Sequence, residues 1–201
     1  MLRFKLGKLH VQIDFMFVAV VTIFLIVDTT GISSIALLAC FIHELGHIVM
    51  FLAVGYTPQK LTFELTGIRL TKPIQELSAG KELLVQLAGS TTNLLIFFFL
   101  IKTIESISFL SLFAVTHLVL GVFNLLPLKS FDGGKILELI LSFFLCENVT
   151  QKICSIADFI CIFLMLIVCV FMIITSKNSF TLLMITIYLM ISSLIKLMKR
   201  Y

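Results

Sequence analysis

Two histidines and a glutamate lie within five consecutive residues, in the middle of an apolar stretch. The segment reads His43-Glu44-Leu45-Gly46-His47. Residues four apart share one face of an α-helix, so His43 and His47 can hold one metal ion while Glu44 reaches the same point. A catalytic zinc needs about three protein ligands and an open position for water. The pattern therefore predicts two zinc ligands and a general base, and it requires a third ligand elsewhere in the chain.

Ionisable groups are rare inside apolar segments, so the candidates for the third ligand are few. They are Cys40, His117, Asp132 and Asp158. Two glycines follow Asp132 and leave room for its carboxylate to approach a metal, but an Asp at this position is also typical of a helix N-cap. His117 fits a hydrogen bond between helices, Asp158 a polar residue near the end of a span, and Cys40 a packing residue. The residues alone leave the choice open.

The composition is that of an integral membrane protein. The chain has 201 residues, of which 60% are hydrophobic and 13% charged, and its mean hydropathy is +1.16. Hydropathy predicts six membrane spans, at 13–27, 32–54, 83–101, 107–126, 153–175 and 180–198. With both termini in the cytoplasm, every Lys and Arg except Lys102 and Lys177 falls on the cytoplasmic side. The basic residues are scattered over short connections, which argues against a nucleic-acid partner.

The sequence argues against a removable signal peptide and against a structural disulfide. No small-residue cleavage site follows the first apolar run, where Asp28 comes next, so the first span is expected to be retained and not removed as a signal peptide. The five cysteines include no closely spaced pair, and most lie in apolar runs, so no structural disulfide is expected.

Two regions interrupt the series of spans. The polar stretch 55–80 contains alternating β-forming residues over 61–70, which predicts a short hairpin, with a plain cytoplasmic loop as the alternative. In the stretch 124–135, Pro127 cannot continue the fourth helix, and the glycines after Asp132 allow a sharp turn. The predicted fold is an all-α polytopic membrane protein with about six transmembrane helices, a small β-hairpin between the second and third, and a broken helix or re-entrant loop carrying Asp132.

Four motifs in order resemble the site-2 protease family of intramembrane zinc metalloproteases, and most closely the branch of stage IV sporulation protein FB. They are His43-Glu44-Leu45-Gly46-His47, Gly55-Tyr56, Ala88-Gly89 with Asn93, and Asn124-Leu125-Leu126-Pro127 followed by Asp132-Gly133-Gly134. The family usually has Pro where this chain has Ser90 and Pro-Leu where it has Ser130-Phe131. Those departures bear on how the third span bends and how rigid the ligand loop is, and they remove no catalytic group.

The resemblance implies that His43, His47 and Asp132 bind one zinc ion, that Glu44 acts on the water, and that Asn124 and Pro127 engage the substrate. It implies a single metalloprotease domain over 1–201, with a catalytic core at about 32–146 and no appended soluble domain, in a bacterial cytoplasmic membrane. The expected reaction is hydrolysis of a peptide bond in or near the membrane segment of a membrane-associated protein, under the control of membrane inhibitor or activator proteins. The alternatives are an inactive scaffold that binds transmembrane segments and a metal transporter, although a transporter would need ligands along a path.

Overall fold

The computed structural model describes residues 1–6, 9–28, 30–56, 60–64, 67–71, 77–101 and 109–175. Its strands are β1 (Leu2–Leu6), β2 (Leu9–Ile13), β3 (Lys60–Glu64) and β4 (Gly67–Thr71). Its helices are α1 (Phe15–Val27), α2 (Ile32–Ala53), α3 (Ala79–Leu100), α4 (Phe109–Asn124), α5 (Asp132–Ser142) and α6 (Glu147–Thr175). The chain divides into two compact units, Met1–Val122 and Phe123–Tyr201, and each is described by itself.

A four-stranded sheet in the first unit has the order β1-β2-β3-β4. β1 and β2 pair antiparallel, as do β3 and β4, while β2 and β3 pair in parallel with Val11 opposite Leu61. The hairpin predicted over 61–70 is therefore confirmed as β3 and β4. The expectation of an all-α fold is wrong for the N-terminus, where Leu2–Leu6 and Leu9–Ile13 alternate apolar and polar residues with the period of a strand.

The helices α2 and α3 form the closest helix pair of the first unit, because small residues line the contact. A Cβ on Gly46 would lie 3.0 Å from the carbonyl oxygen of Ala88 and 3.1 Å from the Cβ of Thr92. Ala88, Gly89 and Ser90 are all buried on the α3 side. A stripe of small side chains lets two helix backbones approach closely in an apolar environment. Gly46 thus permits the close approach of α3.

Within the part of the chain that the structure describes, three helices are long and apolar enough to cross a membrane, namely α2, α3 and the Glu147–Val168 part of α6. The apolar helices α1 and α4 have 13 and 16 residues and are shorter than a span needs. Large apolar side chains cover the outer surface of α6, including Phe159, Phe163 and Phe171. Such a surface is stable in lipid and not in water, as in an integral membrane protein. Six spans are not established, and the predicted span 180–198 lies outside the described residues.

In the second unit, an irregular segment connects the end of α4 to α5. The chain turns through three backbone hydrogen bonds, from the Leu126, Leu128 and Phe131 amides to the Phe123, Leu126 and Leu128 carbonyls. Leu128 is 1% exposed and packs with Ile162 of α6. The helix break expected around Pro127 is confirmed, since α4 ends at Asn124 and the next helix begins at Asp132.

The start of α2 depends on the carboxylate of Asp28. The Asp28 carboxylate accepts hydrogen bonds from the Thr30 hydroxyl, at 2.6 Å, and from the Thr30 and Ser33 backbone amides. Hydrogen bonds from Thr30 and from the Ser33 amide hold the pKa of Asp28 well below its usual range. We expect this contribution to stability to be complete above pH ~4, the pKa of an unfolded Asp, and to be lost as the pH falls from there towards the folded pKa.

Amide hydrogen exchange measures this effect locally. Protection of the Ser33 amide should be the same at pH 7 and pH 5 and should decrease below pH ~4, where the unfolded carboxyl takes up a proton. Asp28→Asn should lower protection at neutral pH and remove this pH dependence, whereas Ser34→Ala, an exposed position on the same turn, should change neither. Unaltered protection of Ser33 in Asp28→Asn would contradict the assignment.

Candidate metal centre

The two histidines of the motif lie side by side on the buried face of α2. That face repeats every four residues, through Ile35, Ala39, His43, His47 and Phe51. His43 is 4% exposed and His47 6% exposed. Their Nε2 atoms are 3.1 Å apart, and the two rings meet edge to face. Two imidazole nitrogens at 2.0–2.1 Å from a tetrahedral zinc lie about 3.3 Å apart, so this spacing suits one metal ion.

The hydrogen bond of Nδ1 in His47 determines which ring nitrogen can bind a metal. This Nδ1 lies 2.7 Å from the backbone carbonyl oxygen of Val85. A carbonyl only accepts hydrogen bonds, so Nδ1 carries the proton and Nε2 keeps its lone pair. Histidine ligands of metals commonly donate their other N–H in this way, and the bond also fixes the plane of the ring. His47 therefore fits the ligand role predicted for it.

Gly89 of α3 lies directly against both imidazole rings. A Cβ at this position would fall 2.7 Å from Cε1 and Nε2 of His43 and still closer to Nε2 of His47. Any side chain here would occupy the space in front of the two nitrogens. A backbone without a side chain thus leaves open the volume that a metal ion and its fourth ligand would need.

A buried polar chain continues from His43 through α3 to α4. Nδ2 of Asn93 lies 3.2 Å from Nδ1 of His43, and Oδ1 of Asn93 lies 3.0 Å from Nδ1 of His117. Asn93 and His117 are both 0% exposed. His117 therefore forms a hydrogen bond between helices, which is the alternative to a ligand role that the sequence predicted. The sequence singles out Asn93 only as part of a motif. Its two partners lie on other helices, and spacing along the chain does not predict such contacts.

Asp132 is the first residue of α5 and is 6% exposed. The N-cap position falls on Phe131, which makes no side-chain cap hydrogen bond, so the N-cap alternative for Asp132 is wrong. One carboxylate oxygen forms an ion pair with Nζ of Lys135 at 3.0 Å. A hydrogen bond of this kind orients the carboxylate group.

Two glycines hold Asp132 against the preceding segment. A Cβ on Gly133 would collide with the carbonyls of Leu125 and Leu126, and one on Gly134 with the carbonyl of Leu128. The backbone of the connecting segment therefore packs directly on the first turn of α5. This close approach explains why glycine occupies both positions after the acidic residue.

Asp158 of α6 fixes the same connecting segment from another side. Its Oδ1 accepts a hydrogen bond from the backbone amide of Lys129 at 2.9 Å, and Asp158 is 3% exposed. Nζ of Lys129 also donates to the Ser155 hydroxyl at 2.7 Å. Asp158 is thus a structural anchor for the segment that precedes Asp132. These bonds restrain the backbone beside Ser130, which stands where the family usually has proline.

The remaining residues from the sequence analysis differ in their surroundings. Glu44 is half-buried on α2, beside the histidine face. Asn124 ends α4, and Pro127 lies in the connecting segment, both half-buried. Cys40 is exposed, and the cysteines with described side chains, which are Cys40, Cys146, Cys154 and Cys161, form no disulfide with one another. Helix α3 continues without interruption through Ser90, where the family usually has proline.

Comparison with known proteins assigns the fold to a class. A solved structure, the site-2 protease from Methanocaldococcus jannaschii, matches with a TM-score of 0.67 and 22% sequence identity, over 96% of this chain and 93% of that one. The chain thus has a site-2 protease-like fold. Residues 95–168 match the model of Peptidase family M50, a segment that contains Asn124, Pro127 and Asp132. No curated protein matches the chain significantly.

The space in front of the histidines gives a direct test of the metal centre. We expect Gly89→Ala to lose bound zinc, because the new methyl group would displace the imidazole of His43 from its hydrogen bond with Asn93. Gly80→Ala on the same helix is the matched control, since a Cβ there meets nothing within 4 Å. Zinc content of the two purified proteins after dialysis is the measurement. Full zinc occupancy in Gly89→Ala would refute this view of the site.

Proposed function

We propose that the chain is an intramembrane zinc endopeptidase that hydrolyses a peptide bond in or near the membrane segment of a membrane-associated protein. The observation that carries the proposal is the buried pair of histidine Nε2 atoms, 3.1 Å apart, on a helix long and apolar enough to span a bilayer. Burying two imidazoles in an apolar helix costs free energy. A bound cation gives the pair a function.

Asp132 is the third ligand in this proposal. The support is the sequence resemblance, in which Asp132 followed by Gly133-Gly134 occupies the position of the family's acidic ligand. Two imidazoles and one carboxylate are a common ligand set for catalytic zinc, and they leave a position for water. Asp132 is buried and is held by glycines that admit no side chain, which supports a fixed position for its carboxylate.

Each residue then has a separate chemical task. Zinc, when bound, polarises the peptide carbonyl and makes water more acidic. Glu44, next to His43 on α2, accepts the proton of the attacking water and delivers it to the leaving amide nitrogen. The backbone carbonyl of Val85 holds the His47 ring in the tautomer that leaves Nε2 unprotonated. Asn124 and Pro127, at the end of α4 and just after it, are proposed to contact the substrate.

The finer identity follows the sequence resemblance. We propose a bacterial cytoplasmic-membrane protein of the stage IV sporulation protein FB type, with cytoplasmic termini and a role in regulated proteolysis. Its partners would be the membrane-associated substrate and membrane inhibitor or activator proteins. The fold match with a site-2 protease and the Peptidase family M50 segment support the class of reaction.

Replacing the general base separates metal binding from catalysis. Glu44→Gln should retain zinc and the fold but lower cleavage by about 10²- to 10⁴-fold, because an amide cannot accept the proton of water. Cleavage is measured by co-expression with a panel of tagged single-span membrane proteins, followed by immunoblotting. Glu147→Gln, at an exposed position in the first turn of α6, is the matched control and should remain active.

Asp132→Ala completes the test of the enzyme against the scaffold alternative. This variant should lose zinc and cleavage together, and a chelator should inactivate the unaltered protein until zinc is restored. Cleavage by Glu44→Gln at the rate of the unaltered protein would refute the proposed base. A zinc-free protein that captures membrane segments without cutting them would favour the scaffold.

Strand β4 pairs only with β3 among the described residues, and its other side is here called the open edge of the sheet. This edge is the proposed holder of the substrate, which must be extended because a helix hides its peptide bonds. The Asp14 amide donates to the Phe63 carbonyl at 3.0 Å, so Phe63 directs its backbone groups towards β2. Successive residues of a strand alternate, so Thr62 bonds to its partner Arg69. Ile68 and Leu70 of β4 consequently direct their N–H groups to the open edge.

Proline substitutions test this edge without removing the sheet. Leu70→Pro deletes one outward N–H of β4 and should slow cleavage about two- to tenfold, the contribution of one hydrogen bond, with unchanged zinc content. The matched control is Lys5→Pro on β1, the opposite edge, where the same alternation directs the Lys5 N–H outward. Equal cleavage rates for both variants and the unaltered protein would contradict substrate pairing with β4.

A further inference from the structure

The two faces of the sheet differ in chemistry across β1, β2 and β3. Successive residues of a strand point to opposite sides, so the register shows which residues share a face. Two neighbouring rows lie on one side, here called the basic face: Lys5-His10-Lys60 and Arg3-Gln12-Thr62. The rows of the other side, here called the apolar face, are Phe4-Val11-Leu61 and Leu2-Ile13-Phe63. This part of the sheet is therefore amphipathic.

The apolar face is covered by protein in its middle and open along β1. Val11 is buried, and the ring of Phe63 contacts that of Phe17 in α1, with centroids 5.5 Å apart. Helix α1 therefore lies on this side of the sheet. In β1, by contrast, Leu2 is 52% exposed and Phe4 46% exposed. The sheet thus presents large apolar side chains beside an apolar helix.

One residue separates the sheet from that helix. β2 ends at Ile13 and α1 begins at Phe15, and the amide of Asp14 between them donates to the carbonyl of Phe63. The start of α1 is open, since Phe15 and Met16 are both exposed. An apolar helix with such a surface belongs in lipid, so the sheet that leads into it belongs at the surface of the bilayer.

The basic face carries three permanent positive charges close together. Arg3 and Lys5 are exposed and Lys60 is half-buried. Neighbouring strands lie about 4.8 Å apart, so the Cα atoms of the three residues fall within roughly 12 Å of one another. None of the three forms an ion pair with a residue whose side chain the structure describes. Positive charges gathered in this way repel one another and attract an anionic partner.

Anionic lipids match both faces of the sheet. An amphipathic element with apolar residues on one side and Lys or Arg on the other lies in the interface of an anionic bilayer. β1 is at the edge of the sheet, so the long side chains of Arg3 and Lys5 can reach head groups beside it while Leu2 and Phe4 face the acyl chains. An acidic protein segment would match the basic face alone.

We propose that the sheet binds anionic lipid head groups through Arg3, Lys5 and Lys60 of its basic face, while Leu2 and Phe4 contact the acyl chains. The partner is an anionic phospholipid of the bilayer that surrounds the protein. This contact holds β1 and β2 at the bilayer surface, together with the strands that pair with them. The proposal goes beyond the proposed peptidase and depends neither on zinc nor on cleavage.

A single fluorescent reporter tests the proposal, because the chain contains no tryptophan. Phe4→Trp places one tryptophan on the apolar face. The purified full-length protein is reconstituted in phosphatidylcholine nanodiscs with a minor fraction of brominated phosphatidylglycerol or, in parallel, of brominated phosphatidylcholine. Bromine quenches tryptophan on contact, so the two quenching curves give the enrichment of the anionic lipid at residue 4. We expect an enrichment of about three- to tenfold that decreases at high salt.

Charge reversal in the Phe4→Trp protein identifies the face that binds the lipid. Lys5→Glu should lower the enrichment at least about twofold, and Arg3→Glu combined with Lys5→Glu should abolish it. Lys152→Glu is the matched control, because it makes the same change of charge at an exposed lysine of α6. The control should leave the enrichment unchanged.

Three results would overturn the proposal. The first is equal quenching by the two brominated lipids, and the second is an enrichment that survives the double charge reversal. The third is the absence of quenching by either lipid, because the apolar face would then lie away from the acyl chains. If Phe4→Trp fails to fold, Leu2→Trp on the same face decides by the same criteria. Loss of cleavage in the double variant, without lipid enrichment in its parent, would favour an acidic protein segment instead.

Discussion

Two imidazoles buried side by side constrain everything around them in the first unit. Nε2 of His43 and Nε2 of His47 face each other at 3.1 Å, so each ring must be fixed by its other nitrogen. The Val85 carbonyl does this for His47 and the Asn93 amide for His43, and both groups belong to α3. Helix α3 must therefore lie very close to α2, which in turn requires small residues at their contact. Gly46 and Gly89 meet that requirement from the two sides.

The pairing of His43 and His47 could be predicted from the sequence, because a helix brings residues four apart onto one face whatever surrounds it. The bounds of α2, the hairpin β3–β4 and the break after Asn124 follow from local patterns in the same way. The contacts of Asn93 could not be predicted. Its partners, His43 and His117, are on other helices, and helix packing is not encoded in the spacing along a single helix.

The N-terminal strands β1 and β2 were not predicted, for a different reason. The alternation over residues 2–6 and 9–13 was visible, but basic residues before an apolar run also fit the cytoplasmic end of a first span. The N-terminal strands form part of a sheet because β2 pairs in parallel with β3, about fifty residues further along the chain. Pairing at that distance depends on the fold as a whole. The sequence therefore led to the start of a membrane span being predicted, and not these strands.

The second unit shows how an irregular segment can be as constrained as a helix. The carbonyls of Leu125, Leu126 and Leu128 pack on the two glycines of α5, and the Lys129 amide is bonded to buried Asp158. Non-helical backbone is tolerated at membrane depth only when its polar groups are satisfied by the protein or by water. Here the connecting segment uses those same polar groups to fix the start of α5. The hydrogen bonds satisfy polar groups of this backbone, and its direct packing on the two glycines fixes the start of α5.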